Sequence, residues 1–312
     1  MRIRLDRKGR DEMKKTQIRN SLLLLLTATI WGTSFVAQSV GMDYIGPITF
    51  TFLRNITGGL FLIPCIWLMR KGKNKEVALE NKAIVTRDEW IGGIWCGVAL
   101  CAAGNFQQIG IAHTTVGKAG FITALYVVIV PLLGLFIKKK VPKVVWICVV
   151  LSVIGLYLLC MTEGSFSLAY GDLLVFICAI MYSVHILIID YFSPKGDGVV
   201  MSCIQFLVCG ILSGIIMLFV EEFSLKNVLA AAFPILYAGV LSSGVGHTLQ
   251  IVGQKDMNPT VASLILCLES VVSALAGWLI LHETLTSREL FGCVLMFVAI
   301  VLAQIPIPNK KK

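Results

Sequence analysis

Asn258–Glu283 reads NPTVASLILCLESVVSALAGWLILHE. From Pro259 to Leu281 nearly every position is apolar or small, and one helix needs only ~20 such residues to cross a bilayer core. Glu269 stands at its centre. A carboxylate at mid-membrane depth costs ~2.5–3.5 kcal/mol on insertion scales, so it calls for a partner or a wet cavity. The stretch has a counterpart earlier in the chain. Thr114–Val141, TTVGKAGFITALYVVIVPLLGLFIKKKV, aligns with it without gaps at a shift of 145 residues. Thr115 then falls on Thr260, Val116 on Val261 and Lys138 on Glu283. The match lies in hydropathy more than in identity, and it points to a duplicated chain.

Outward from this pair, the pattern predicts ten spans: 20–40, 47–69, 89–111, 115–137, 143–161, 171–192, 199–220, 229–252, 258–280 and 288–306. The chain of 312 residues is 57% hydrophobic and only 14% charged, well below the ~25% charge of soluble domains. It shows none of the alternating ~10-residue segments of a β-barrel. The first apolar run, Ser21–Val40, exceeds a signal-peptide core of ~7–15 residues and has no small-x-small cleavage site, so it counts as a span.

The net charge of +9 resembles that of a nucleic-acid binder, but its distribution argues otherwise. With the N-terminus inside, 23 Lys/Arg fall on the cytoplasmic side and two, Lys226 and Arg288, on the other. That split supports both the span count and an orientation with both termini cytoplasmic. The expected divisions are a basic cytoplasmic tail at 1–19, a first repeat at 20–161, a second at 171–306, and a basic cytoplasmic tail at 307–312. Five spans per repeat is an odd number, so the second enters the membrane upside down. The fold class is thus an all-α integral membrane protein, ten transmembrane helices as two inverted five-helix repeats, with a solute site near the midplane between them.

Five ionisable residues fall well inside spans: Arg54, Lys118, His185, His247 and Glu269. Intramembrane charges face a bundle interior or cavity and pair there. Glu269 with Lys118 or Arg54 is therefore the candidate centre for reading a zwitterion or coupling to protons, and the sequence does not choose between the two cations. Snorkelling of Arg54 and Lys118 to the interface is the competing reading. Asn105, Gln107 and Gln108 cluster in span 3, but successive residues cannot share a face; Asn105 and Gln108 are the candidates for the cavity. Gln250, Trp31 and Tyr126 complete the candidate lining. All ten cysteines lie in apolar spans with no CxxC, so neither metal nor disulfide is expected. Gly93-xxx-Gly97 and Gly210-xxx-Gly214 have the spacing of close helix packing, while Pro64 and Pro131 mark kink sites.

LTATIWGTSFVAQSVG (26–41), TFLRNITGGLFLIP (51–64), TTVGKAGFITALYVVIVPLLG (114–134) and PTVASLILCLESVVSALAGWLILHETLT (259–286), in that order, resemble the EamA-type branch of the drug/metabolite transporter superfamily. The resemblance spans about residues 20–305. It implies two inverted EamA repeats around a cavity lined mainly by spans 1, 3, 4, 6, 8 and 9. The family's Trp-Gly-Thr corresponds to Trp31, Gly32 and Thr33, its span 2 arginine to Arg54, and its glutamate after span 9 to Glu283. The first repeat departs from that last position with Lys138.

The expected function is a secondary active transporter in the cell membrane, moving amino acids or similar small polar metabolites by alternating access, with export the family-weighted direction. A multidrug exporter and a metabolite importer share the fold. No Walker-type Gly-x-x-x-x-Gly-Lys segment is present, so an ion or solute gradient is the expected energy source. The expected partners are a small-molecule substrate, protons as a coupling candidate, and the lipid bilayer, without nucleic acid or cofactor; one chain suffices, although a dimer fits too. The rival classes are a passive channel and a membrane enzyme on lipid-linked substrates. The enzyme reading is disfavoured because the acid and the histidines look scattered in depth.

Overall fold

The computed structural model describes residues 2–71, 85–113, 116–139, 141–160, 170–280 and 286–304. All secondary structure among them is helical. Among the described residues, seven stretches are long and apolar enough to cross a membrane: Lys15–Met42, Pro47–Lys71, Arg87–Ile111, Tyr170–Lys195, Gly198–Val220, Ala232–Gln254 and Pro259–Ala276. The shorter apolar helices Ile122–Phe136, Lys143–Gly155 and Leu290–Leu302 occupy the other three predicted places.

In chain order we label them α1 (Arg2–Met42), α2 (Pro47–Lys71), α3 (Arg87–Ile111), α4 (Val116–Ala124 and Tyr126–Phe136), α5 (Lys143–Cys160) and α6 (Tyr170–Phe192). Then follow α7 (Gly198–Val220), α8 (Ala232–Leu236, the π-helical Tyr237–His247 and Thr248–Gln254), α9 (Pro259–Leu266 and Glu269–Ile280) and α10 (Ser287–Gln304). Sequence sets several starts. Thr86 and Glu89 close a capping box at α3, Asp197 caps α7, and Asn258 with Pro259 at the first position opens α9.

Three features depart from the sequence reading. Helix α1 runs back through the basic tail to Arg2, a segment rich in Lys and Arg, which are good helix formers. Spans 4 and 9 were expected as single helices, yet each breaks in the middle, at Leu125 and at Cys267–Leu268. At both breaks the backbone tightens to i→i+3 bonds, Leu125 N to Ile122 O (3.2 Å) and Leu268 N to Ile265 O (3.2 Å). Span 8 contains an 11-residue π-helix. Hydropathy is blind to all three, because it reports burial and not hydrogen-bond register. Pro64 and Pro131 both sit inside helices and not at these breaks.

The packing shows the duplication directly. Helix α3 packs on α6 and α7, and α8 packs on α1 and α2; α4 lies on α6, and α9 on α1. Helices α2 and α7 pack on each other, as do α5 and α10. Exchanging each helix for the one five places along leaves this set unchanged. The glycines give direction. Gly59 faces Leu207, Gly210 faces Ile56 and Gly214 faces Phe52, so ascending α2 means descending α7. Gly93 faces Ile204 and Gly97 faces Val208, which makes α3 and α7 parallel. Corresponding helices of the two repeats therefore run in opposite directions, as an odd span count requires. At Gly97 an added Cβ would stand 2.8 Å from the Gln205 carbonyl oxygen, a backbone atom that cannot move aside. The small-xxx-small spacing thus serves close helix approach.

Candidate functional site

Where the repeats meet, the two broken helices touch at their breaks. Tyr126, just after the break in α4, donates its hydroxyl to Glu269 Oε1 at 3.1 Å, and Ser270 Oγ donates to the Gly120 carbonyl at 3.2 Å. The break in α9 has a chemical consequence: Glu269 lies in the first turn of a half-helix, where the positive end of the helix dipole favours negative charge. A continuous helix would have left this acid, 4% exposed, with only side chains to receive it.

Trp31, Gly32 and Thr33 each meet a different partner. Trp31 Nε1 donates to the Ser242 carbonyl (3.2 Å), and Thr33 Oγ1 bonds the Tyr237 hydroxyl (2.7 Å), both on α8. Gly32 lies against α9, where a Cβ would stand 2.7 Å from the Glu269 carbonyl oxygen. This triplet sets the distance of α1 from the acid. Gly32→Ala is expected to cost about 1–3 kcal/mol, as overpacking does, and to lower the thermal unfolding midpoint of the purified protein. An unchanged midpoint would contradict this packing.

Arg54 is 5% exposed, its Nη1 donates to Gln38 Oε1 at 2.8 Å, and Gly104 leaves room for Nη2. It does not snorkel. Nor does it pair with Glu269: no ion pair joins these two among the described residues, although both line one interior cavity. Lys118 falls in α4, but its side chain lies outside the described residues, as does Glu283.

That cavity is also lined by Trp31, Tyr126, His247 and Gln250. Its volume, counted as space for the centres of water-sized molecules, is about 40 Å³. At ~10–15 Å³ each, that is room for roughly three waters. His247 Nδ1 and Trp31 Nε1 share the Ser242 carbonyl, which only accepts, so Nδ1 carries a proton and Nε2 of the neutral ring is an acceptor. Among the described residues, three atoms of the lining have no hydrogen-bond partner: Arg54 Nε, His247 Nε2 and Gln250 Oε1. One donor and two acceptors left over in a buried wall are costly unless something polar meets them.

The sequence of this bundle matches the profile of the EamA-like transporter family over residues 19–161 and again over 169–304. The chain belongs to that family. This EamA-like protein is 27% identical over 284 residues to an uncharacterized transporter of Archaeoglobus fulgidus, covering 90% of this chain and 84% of that one. It is 23% identical to the uncharacterized transporter YoaV of Bacillus subtilis (92% and 97% covered) and 21% identical to the uncharacterized inner membrane transporter YedA of Escherichia coli (88% and 86%). A solved crystal structure has the same fold, with a TM-score of 0.73 at 17% identity over 91% of this chain and 96% of that one. The protein is a multi-pass membrane transporter.

Within this EamA-like bundle, the other described candidates, Asn105, Gln108 and His185, lie off the cavity. Asn105 Nδ2 donates to Cys101 O (2.9 Å) and Ser213 Oγ (2.9 Å), tying α3 to α7. Gln108 is buried away from the lining; Gln107 takes its place, donating to Thr123 Oγ1 (3.3 Å) and accepting from the Tyr182 hydroxyl (3.2 Å). His185 stands behind the wall, its Nε2 3.0 Å from Gln205 Oε1 and its ring 6.2 Å from that of His247. The expectation that acid and histidines lie scattered in depth fails for His247, which lines one space with Glu269, and not for His185, which does not line it. Sequence reasoning missed Phe35, Gln38, Tyr182 and Ser242 as lining. Phe35 and Gln38 follow Trp31 by four and seven residues, a helical face that periodicity marks. Ser242 and His247 are five apart and share a wall through the π-helix, which no periodicity marks.

Proposed function

We propose that this transporter is a secondary active carrier that moves amino acids or similar small polar metabolites out of the cell by alternating access, with both termini in the cytoplasm. The observation that carries this reading is the placement of two ionisable groups on one cavity: a buried guanidinium and a buried carboxyl face one space without meeting each other. A zwitterion fits such a wall, its carboxylate toward Arg54 and its ammonium toward Glu269 and the free acceptors on His247 and Gln250. The opposed repeats supply the two halves that rock around a midplane site. The 23-to-2 division of Lys/Arg supports the orientation, and the family resemblance supports export.

The test is a thermal-shift screen of the purified chain with amino acids, their decarboxylated amines and their deaminated acids, followed by counterflow of labelled hits in proteoliposomes. Amino acids are expected to raise the unfolding midpoint more than either half-molecule, and counterflow to saturate. A shift with bulky apolar cations alone would move the reading to a multidrug exporter, and an unsaturable leak to a channel.

A further inference from the structure

The turn joining the first two helices of each repeat is held by a carboxylate from the other repeat. Glu221, directly after α7, accepts from Ile48 N (2.9 Å), Thr49 N (2.8 Å) and Thr49 Oγ1 (2.6 Å). Those N–H groups belong to the first turn of α2 and have no acceptor within their own helix. Glu221 therefore caps α2 from across the repeat boundary, with a charge suited to that helix end. At the other end of the same antiparallel pair, Glu89 of α3 accepts from Thr86 N on Oε2 (2.7 Å). With Oε1 it reaches the N–H of Asp197, the cap residue of α7 (2.8 Å). Both receiving turns carry a glycine at the contact. A Cβ on Gly46 would collide with the Glu221 carboxylate, and one on Gly196 with Glu89 Cγ.

Because α2 and α7 are antiparallel neighbours, these two contacts lie on opposite faces of the bundle. Each crosses between the halves that alternating access must separate. Both are made here, and the central cavity is small. A second hollow, with about 300 Å³ for water-sized molecules, is lined by Gly46, Pro47, Thr49 and Glu222 and lies directly against the Glu221 contact. Solvent space on that face thus borders the contact itself.

We propose that Glu221 and Glu89 are the two gate residues of the transport cycle, each closing one face of the cavity and releasing in turn. They act by positioning the α2 and α7 starts and do not touch the solute. The proposal rests on the alternating-access reading, and the test separates the two. A thiol is introduced in the cavity wall as Thr123→Cys, and its labelling by a membrane-impermeant maleimide is timed in right-side-out and inside-out vesicles. The chain without the added thiol supplies the background of the native cysteines. Glu221→Gln is expected to speed labelling from the α1–α2 face about tenfold, the effect of losing a charge-assisted bond, and to slow it from the other face. Glu89→Gln is expected to do the reverse. Gly46→Ala should follow Glu221→Gln, and Gly196→Ala should follow Glu89→Gln, so the test stands if either glutamine variant fails to reach the membrane. A purely structural cap would loosen both faces together. Shifts of equal sign on the two faces, or no shift with the thiol reached from both, would overturn the gates alone. A thiol reached from neither face in any variant would overturn alternating access and the gates with it.

Discussion

Arg54→Gln is expected to weaken binding of an amino acid roughly ten- to a hundredfold while leaving the matching decarboxylated amine almost unchanged, since hydrogen bonds to charged groups are worth about 1.5–3 kcal/mol. The guanidinium is already aimed: Gln38 holds Nη1, and the bare Gly104 admits Nη2. Its Nε has no partner among the described residues. Glutamine retains polarity but neither the charge nor the planar fork that matches a carboxylate, and lysine would lose the fork as well. Thermal-shift titrations of the two ligands on wild type and variant decide the matter. If amine and amino acid weaken equally, Arg54 supports the helices and does not read the solute.

Glu269→Gln should give the converse. The amino acid is expected to bind about tenfold more weakly, with its deaminated acid unaffected, because the lost contact is the one to the ammonium. A second consequence follows if protons drive the cycle through this carboxyl. Accumulation against a solute gradient in proteoliposomes should fall to background while downhill counterflow continues. The amide still accepts from Tyr126, so the join between α4 and α9 is kept and a fold defect is not the expected cause. Accumulation that persists with unaltered pH dependence would remove Glu269 from the coupling.

The span count and the inversion were legible because both rest on bulk properties. Apolar length sets the crossings, and an odd number of them per repeat sets the inversion. Glu269, Arg54, Trp31, Tyr126, His247 and Gln250 stood out as polar or aromatic residues in apolar runs, and all six line the cavity. The choice among neighbours was not legible. Gln107 and Gln108 differ by one helical step, and only the packing of α3 on α6 and α7 decides which faces inward. The breaks at Leu125 and Cys267–Leu268 have no glycine or proline at the turn to announce them. Glu89 and Glu221 stand at the polar ends of α3 and α7, and no local pattern marks their contacts to backbone N–H groups more than a hundred residues away.

The narrowness of the central space has a kinetic meaning. About 40 Å³ admits a few waters, and even the smallest amino acid has more non-hydrogen atoms than that. Capture therefore waits for the bundle to dilate, and the apparent affinity equals the intrinsic one scaled by the fraction of time spent dilated. Association should run well below the encounter limit and depend steeply on temperature, whatever the solute's concentration. A variant that props the helices apart would bind more tightly and carry less.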